Sequence, residues 1–222
     1  MIYLPVSILL FLLFLLLLPF VWIAVALDVV EVAVAKLGFS PNVAFLLFIA
    51  VLVGSTINIP LYKVESIKPV IPDFRDLWLR QFWGIPLHKT RQKTIVALNV
   101  GGGAIPVLLA IYELTRSNAM AIFWVTVIVT IVSYLSAQIV PGIGIQMNAL
   151  IPPLTAAISA VLIAEASAPS VAFAGGILGT LIGADLLHLK EIERMSAGVL
   201  SIGGAGVFDG IAMCGLFALL LT

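Results

Sequence analysis

The chain has 222 residues, of which 62% are hydrophobic and only 10% are charged, and its 11 Lys and Arg residues balance its 11 Asp and Glu residues. Its mean hydropathy is +1.23. A soluble globule cannot enclose so much apolar surface, so the composition excludes an ordinary soluble domain and indicates an integral membrane protein.

Long apolar runs, separated by proline, glycine, asparagine and charged residues, predict an all-α fold. We interpret residues 1–222 as a single integral membrane domain, a polytopic transmembrane helix bundle with several helices broken by proline or glycine. A helix needs about 20 apolar residues to cross roughly 30 Å of hydrocarbon. On this criterion the sequence predicts about seven spans, at residues 2–27, 41–62, 95–115, 118–137, 147–165, 168–189 and 199–221.

The connection at residues 63–93 is basic and also carries prolines and the aromatic residues Trp78, Phe82 and Trp83. This mixture is typical of an interfacial cytoplasmic loop that lies on anionic lipid headgroups. Acidic residues are interspersed with the basic ones, so we predict no nucleic-acid partner. The lipid bilayer is the predicted partner, and the sequence does not define an oligomeric state.

The distribution of positive charge predicts the orientation. Nine of the eleven Lys and Arg residues fall in the 63–93 loop or at Lys190 and Arg194, and only Lys36 and Arg116 fall on the other side. Because basic loops stay in the cytoplasm, we predict a multi-pass cell-membrane protein with a cytoplasmic N-terminus and an outside C-terminus. Four acidic residues fall at predicted segment ends on the outer side, where we expect water to solvate them: Asp28, Glu31, Glu113 and Glu165.

Several predicted spans are interrupted by glycine or proline close to asparagine. A break inside a membrane is tolerated only where protein or water satisfies the freed backbone groups. Broken helices can line a polar cavity and present backbone dipoles to a ligand, although the same residues can simply allow kinks and close helix contacts. The predicted cavity-lining or substrate-binding residues are Asn58, Asn99, Gly101, Gly102, Gly103, Asn148, Gly203, Gly204 and Gly206.

Asp185 and Asp209 are the candidate catalytic residues. An ionisable group at membrane depth costs several kcal/mol and usually faces a polar cavity or partner. The two predicted helices that carry them are consecutive and antiparallel, and two adjacent carboxylates can share a proton, one acting as acid while the other activates water. This chemistry predicts an intramembrane aspartyl protease acting on a membrane peptide. Ideal helices place the two acids roughly 7 Å and roughly 15 Å below the interface, so the pair meets only if a helix unwinds or extends.

Three other interpretations of these residues remain open. The aspartates could bind a proton or small cation in a transporter or channel. Asp185, His188 and Glu191 share one helix face by their spacing, and with Asp209 they could ligate a divalent metal, which makes His188 and Glu191 candidate metal ligands. Finally, the aspartates could only hold helices together through hydrogen bonds. No cofactor is predicted.

The run Ser201–Gly210, together with Asn58–Leu61 and the Pro-Gly-Ile-Gly at residues 141–144, resembles a family of small prokaryotic polytopic membrane proteins known only as a domain of unknown function. This resemblance covers most of the chain and implies a fold rather than an activity. The two aspartates on late helices are also distantly similar to intramembrane aspartyl proteases of the presenilin and signal-peptide-peptidase type, a similarity that implies a catalytic role for both. Those enzymes carry Gly-x-Gly-Asp, whereas Asp209 follows Gly-Val-Phe.

Overall fold

A computed structural model of the chain describes residues 6–68, 90–140, 144–191, 198–204 and 210–222, and this part is mostly helical. Its helices are α1 (Val6–Ala35), α2 (Pro41–Gly54), α3 (Ile105–Arg116), α4 (Ala119–Ser136), α5 (Ile151–Ala164), α6 (Ala168–Thr180) and α7 (Gly210–Leu221). A first π-helical turn at Val100–Ala104 leads into α3, and a second one at Leu181–Leu186 follows α6. The strands are β1 (Asn58–Lys68), β2 (Thr90–Asn99), β3 (Gln138–Val140), β4 (Gly144–Gln146) and β5 (Gly198–Ile202).

Five of the described helices begin where the sequence supplies a proline or a capping side chain. Proline occupies the first turn of α2, α3, α5 and α6, where its missing N–H would have no helical partner in any case. Helix α4 begins instead at Asn118, whose side-chain oxygen accepts a hydrogen bond from the amide of Ala121 at 3.1 Å. The predicted restart of the chain at Pro41 is therefore confirmed.

Three helical stretches in the described ranges are long and apolar enough to cross a membrane: Leu10–Ala35, Ala119–Ser136 and Ile151–Glu191. In the third, Ala164 has φ −150° and ψ 59°, and α5 packs against α6, so the chain turns back at this point. Helices α2, α3 and α7 have 14, 12 and 12 residues. At about 1.5 Å per residue they are shorter than the roughly 30 Å of a hydrocarbon core, so seven full spans are not supported.

The prediction of an all-α fold is wrong at the ends of three predicted spans, which form a sheet. Strand β2 pairs antiparallel with β1 and parallel with β5, and a separate antiparallel pair joins β3 to β4. Residues 94–96 of β2 are Thr, Ile and Val, whose β-branched side chains favour strands over helices. The apolar character of Ile95 and Val96 is equally suited to a helix, which is why the predicted span 95–115 includes them.

Helix α6 forms the centre of the bundle, and α3, α4, α5 and α7 pack around it. Its residues 171–177 are all buried. Helix α4 approaches closely at Gly175 and Gly179, since a Cβ atom on Gly179 would lie 2.6 Å from Cβ of Val129. Small residues four apart allow helix backbones to approach in this way. By contrast, the apolar side chains of α1 are largely exposed, apart from its last turns.

The bundle has two ends. At the sheet end lie the three-stranded sheet and both π-helical turns. At the opposite end, the α1–α2 connection meets the C-terminal end of α3, where the rings of Phe39 and Tyr112 stack with centroids 5.7 Å apart. The amine of Lys36 also donates a 2.7 Å hydrogen bond to the carbonyl of Leu219, in the last turn of α7.

Candidate functional site

Asn99, the last residue of β2, connects three elements at the sheet end. Its side-chain oxygen accepts a 2.8 Å hydrogen bond from the amide of Gly102 and so caps the first π-helical turn. Its side-chain nitrogen donates to the carbonyl of Ser55 at 2.8 Å and to the side-chain oxygen of Asn58 at 3.2 Å. One amide therefore satisfies backbone groups at the end of α2 and at the start of the segment that leads into α3.

Strand β5 joins the same region through Ser201, whose hydroxyl donates a hydrogen bond to the side-chain oxygen of Asn58. Glycines make the backbones fit together. A Cβ atom on Gly101 would lie 2.1 Å from the carbonyl oxygen of Val51 in α2, so no larger residue fits without a shift of the backbone. We call this meeting point of α2, the first π-helical turn and the end of β5 the glycine–asparagine junction.

Gly203 brings the end of β5 onto the first π-helical turn. It adopts φ +75°, a left-handed conformation that glycine accommodates without strain. A Cβ atom at this position would lie 2.7 Å from the Cα atom of Gly103. Gly204 follows against Asn99, since a Cβ atom on it would lie 3.3 Å from the Cβ atom of that residue.

Asp185 lies in the second π-helical turn and reaches the junction through Gly203. Its Oδ2 atom accepts a 3.2 Å hydrogen bond from the backbone N–H of Gly203. Because Gly203 rests on Gly103, the carboxyl group lies one residue away from the first π-helical turn. The structure thus brings the π-helical turn that begins α3 and the π-helical turn that follows α6 together at a partly buried acid.

His188 fixes the end of the second π-helical turn. Its Nδ1 atom lies 3.1 Å from the carbonyl oxygens of both Gly183 and Ala184, and its ring stacks on Tyr134 with centroids 4.7 Å apart. Carbonyl oxygens only accept hydrogen bonds, so Nδ1 carries the hydrogen. The side chain is only 7% exposed and satisfies backbone carbonyls left at the end of a helix.

Most of the predicted cavity-lining residues meet at the junction. Asp185 contacts it through Gly203, while Asn58, Asn99, Gly204 and the three glycines at positions 101–103 build it. Asn148 lies instead in the exposed connection between β4 and α5, where its side-chain oxygen accepts a 3.0 Å hydrogen bond from the amide of Leu150. Gly206 and Asp209 lie outside the described residues, so the pairing of Asp185 with Asp209 stays a prediction.

The metal-ligand candidates differ in their surroundings. His188 is buried, with Nδ1 bonded to helix carbonyls, whereas Glu191 is exposed. Within the part of the chain that the structure describes, no group of three or more His, Cys, Asp or Glu residues could hold a metal ion. A metal site that includes Asp209 stays a prediction.

The sequence interpretation missed Glu113. We expected water to solvate this residue at a span end, but it is only 2% exposed. Its Oε1 atom has no hydrogen-bond partner among the described residues. Helical spacing contains the missed signal, because Glu113 lies three residues after Ala110 and seven after Pro106, and both of these are buried on α3.

These features define a predominantly helical protein with three membrane-compatible stretches and a polar junction at the π-helical turn that begins α3. The chain belongs to a family described as "Protein of unknown function (DUF1614)", whose model matches residues 52–221. The predicted resemblance to a family of unknown function is thereby confirmed, whereas a presenilin-like similarity is not shown. No curated protein and no solved structure matches the chain.

Proposed function

We propose that this is a multi-pass membrane protein that binds and transports a proton or a small cation at Asp185. One observation carries the proposal: the Asp185 carboxyl group, in the π-helical turn that follows α6, is held by the amide of Gly203, which packs on the π-helical turn that begins α3. Many membrane transporters form their ion sites from discontinuous helices, and buried acids in such proteins commonly mark ion or proton pathways.

The short helices support a site within the bundle. Helix α2 ends at the junction and α3 begins there, with 14 and 12 residues respectively. Both are too short to cross a bilayer alone, and α2 is apolar throughout, as expected of half-helices that stop at a polar site. The exposed apolar surface of α1 supports contact with lipid. The proposed orientation keeps the sheet end, with the exposed Lys63 and Lys93, in the cytoplasm.

The hydrogen bond from Gly203 couples ion occupancy to the position of β5. An ionised Asp185 makes a charge-assisted bond to the Gly203 amide, which is stronger than a bond between neutral groups. Protonation or cation binding weakens that bond and loosens Gly203 from its contact with Gly103. Asn58 and Asn99 already bond to protein groups, so their role in this proposal is to hold the junction together.

Intramembrane proteolysis is a second proposal, favoured by the contact between Asp185 and Gly203. Asp209 follows six residues after Gly203 in the sequence, and Gly203 is the residue that bonds to Asp185. The protease would use the two carboxyl groups as a proton-sharing pair that activates water. It requires both acids, whereas the transport proposal requires only Asp185.

Flux and cleavage measured on the same preparations separate the two proposals. The full chain would be reconstituted in vesicles that contain a pH-sensitive dye, and proton and cation flux would be recorded. Asp185→Asn should reduce flux at least about tenfold, because it removes the titrating group while keeping the shape of the side chain. Glu165→Gln is the matched control, since this exposed acid lies in the turn between α5 and α6.

A fluorogenic membrane peptide, added to parallel samples, reports cleavage. Wild-type flux in Asp185→Asn would refute the transport proposal. Cleavage that is lost in both Asp185→Asn and Asp209→Asn, without any flux in the wild type, would establish the protease instead. Flux that is unaffected by Asp209→Asn would count against a shared catalytic pair.

A further inference from the structure

A cleft of about 170 Å³ lies between α1, α2, α3, α6 and α7, and its described walls are almost entirely apolar. Ser55 is the only described lining residue with a polar side chain. Its hydroxyl already donates a hydrogen bond to the carbonyl of Val51, one helical turn earlier. We infer that this cleft, which we call the apolar cleft, binds one acyl chain of a phospholipid from the surrounding bilayer.

The chemistry of the walls favours hydrocarbon over water. Water occupies a cavity stably where it finds two to four polar partners, and an engineered apolar cavity of about 150 Å³ in another protein stays dry and binds benzene. Walls that face empty space lose their dispersion contacts on that side. An acyl chain in the apolar cleft would restore these contacts and complete the packing of α1 and α2 against α6 and α7.

The shape of the apolar cleft fits an extended chain. Its lining residues lie within three stretches that follow the helices, at residues 30–37 on and just after α1, 47–55 on and just after α2, and 212–219 on α7. At about 1.5 Å per residue, each stretch covers roughly 10–12 Å. A slot of this length along the helices matches an acyl chain, which crosses its leaflet in the same general direction as a spanning helix.

The apolar cleft is partly open, so a chain can enter it from the bilayer. Leu52 lines the cleft and is 47% exposed, and Val30 and Met213 line it half-buried. The inner wall belongs to α6, where Phe173 is 7% exposed and Ile177 is completely buried. A chain that reaches α6 therefore passes only apolar side chains on its way from the lipid.

Two positive charges lie at the end of the apolar cleft that is farther from the glycine–asparagine junction. Leu219 lines the cleft there, and its carbonyl accepts the 2.7 Å hydrogen bond from Lys36. An ammonium group has three N–H donors, so two remain for a ligand. The guanidinium of Arg116 lies near Gly38, since a Cβ atom on that glycine would be 3.9 Å from it. The phosphate group of a lipid whose chain fills the cleft would meet both charges.

Photolabelling of the wild-type chain tests entry of the acyl chain. The full chain would be reconstituted in phosphatidylglycerol vesicles that contain a small fraction of phosphatidylglycerol with a diazirine in one acyl chain. On illumination the diazirine loses N₂, and the resulting carbene inserts into a C–H bond of a neighbouring residue. Mass spectrometry should locate label on Phe173 and Ile177, which lipid reaches only through the apolar cleft. Label confined to the outward-facing residues of α1 and α4 would overturn the inference.

This measurement is independent of the transport proposal, because Asp185 is not among the described residues that line the apolar cleft. Loss of flux in Asp185→Asn together with unlabelled Phe173 and Ile177 would refute the lipid site alone. Label on these two residues without any flux would support the lipid site and count only against transport.

A variant that fills the apolar cleft tests where the chain binds. The full chain in detergent would be titrated with the photoactivatable phosphatidylglycerol, and the α6 label at each concentration gives an apparent Kd. Ala212→Phe places a ring in the cleft, and excluding about two methylene groups raises that Kd about tenfold. Ala50→Phe is the matched control, because Ala50 is exposed on α2 and is not a described lining residue. Equal Kd values for the two variants would overturn the inference, and the wild-type labelling decides it even where Ala212→Phe does not fold.

The same titration tests the place of the phosphate group. Lys36→Gln removes the charge but keeps an N–H donor for the Leu219 carbonyl, so the apparent Kd should rise about fivefold. Lys63→Gln is the matched control, since Lys63 is exposed at the sheet end of the bundle. An unchanged Kd in Lys36→Gln would refute the contact between the phosphate group and this end of the apolar cleft.

Discussion

Replacing Asn99 by aspartate would test whether one amide holds the junction together. Asn99→Asp keeps nearly the same shape and keeps the oxygen that accepts from Gly102. It removes both donated hydrogen bonds, to the Ser55 carbonyl and to the Asn58 side chain. A carboxylate oxygen would then take the place of the Asn99 side-chain nitrogen. It would face the Ser55 carbonyl oxygen and the Asn58 side-chain oxygen, both of which are hydrogen-bond acceptors.

The expected cost follows from the burial of this residue. Asn99 is only 4% exposed, so the new carboxylate oxygen and the half-buried Ser55 carbonyl cannot easily turn to water instead, whereas the exposed Asn58 side chain can. Each buried group left unsatisfied costs about 1–3 kcal/mol. A negative charge at the start of a helical segment recovers about 0.3–1 kcal/mol through the helix dipole. We therefore expect Asn99→Asp to lower the free energy of unfolding by roughly 2–4 kcal/mol.

Asn118→Asp is the matched control, because Asn118 also caps a helix but is exposed. Its side-chain oxygen accepts from the amide of Ala121 at 3.1 Å, and an aspartate can do the same. This variant should be neutral or stabilising by up to about 1 kcal/mol. Chemical unfolding in detergent, followed by circular dichroism, measures both variants. Equal stability of the two, within about 0.5 kcal/mol, would refute the bridging role of the Asn99 amide.

Two further changes test contacts at the two ends of the bundle. Gly203→Ala should destabilise the protein by more than about 2 kcal/mol, because the positive φ strains alanine and its Cβ would meet Gly103. At Gly38, with φ +80°, a Cβ atom would make only an ordinary 3.9 Å contact with the Arg116 guanidinium, so Gly38→Ala should cost about 1 kcal/mol. Equal melting shifts would contradict the contact of Gly203 with Gly103. Lys36→Met keeps the apolar stem of the side chain but removes the hydrogen bond to the Leu219 carbonyl. Unfolding curves should therefore show a loss of about 0.5–1.5 kcal/mol in the free energy of unfolding. An unchanged unfolding midpoint would show that this bond contributes nothing to stability.

The sequence predicted the helical character of the chain and most members of the junction. Asparagine beside glycine or proline was the useful signal, because a break in a membrane helix needs a polar group to satisfy its backbone. Asn99 does this at the first π-helical turn. The same rule failed for Asn148, which bonds locally to Leu150 in an exposed connection. Whether an asparagine serves a local turn or a distant helix depends on tertiary contacts that the sequence does not display.

The strands and Glu113 were missed for different physical reasons. Residues 58–62 and 94–98 contain enough apolar side chains to extend a predicted helix, and the pairing that makes them strands is mostly between distant segments. Glu113 was assigned to water because charged residues usually mark the end of a span. Its helical register with Pro106 and Ala110 indicates the buried face, so here helical periodicity is a better guide to burial than charge.

The position of the family match separates the junction from the first helix. The match begins at residue 52, inside the last turn of α2, and includes the first π-helical turn, β5 and the end of α2 at the junction. Most of α1 exposes its apolar side chains, and its fully buried contacts with the core are near its C-terminal end, at Ala33. Close glycine contacts tolerate no larger side chain, so the junction places tight constraints on sequence, whereas lipid-facing positions accept many apolar residues. The shared property of this family is therefore better sought in the junction and Asp185 than in α1.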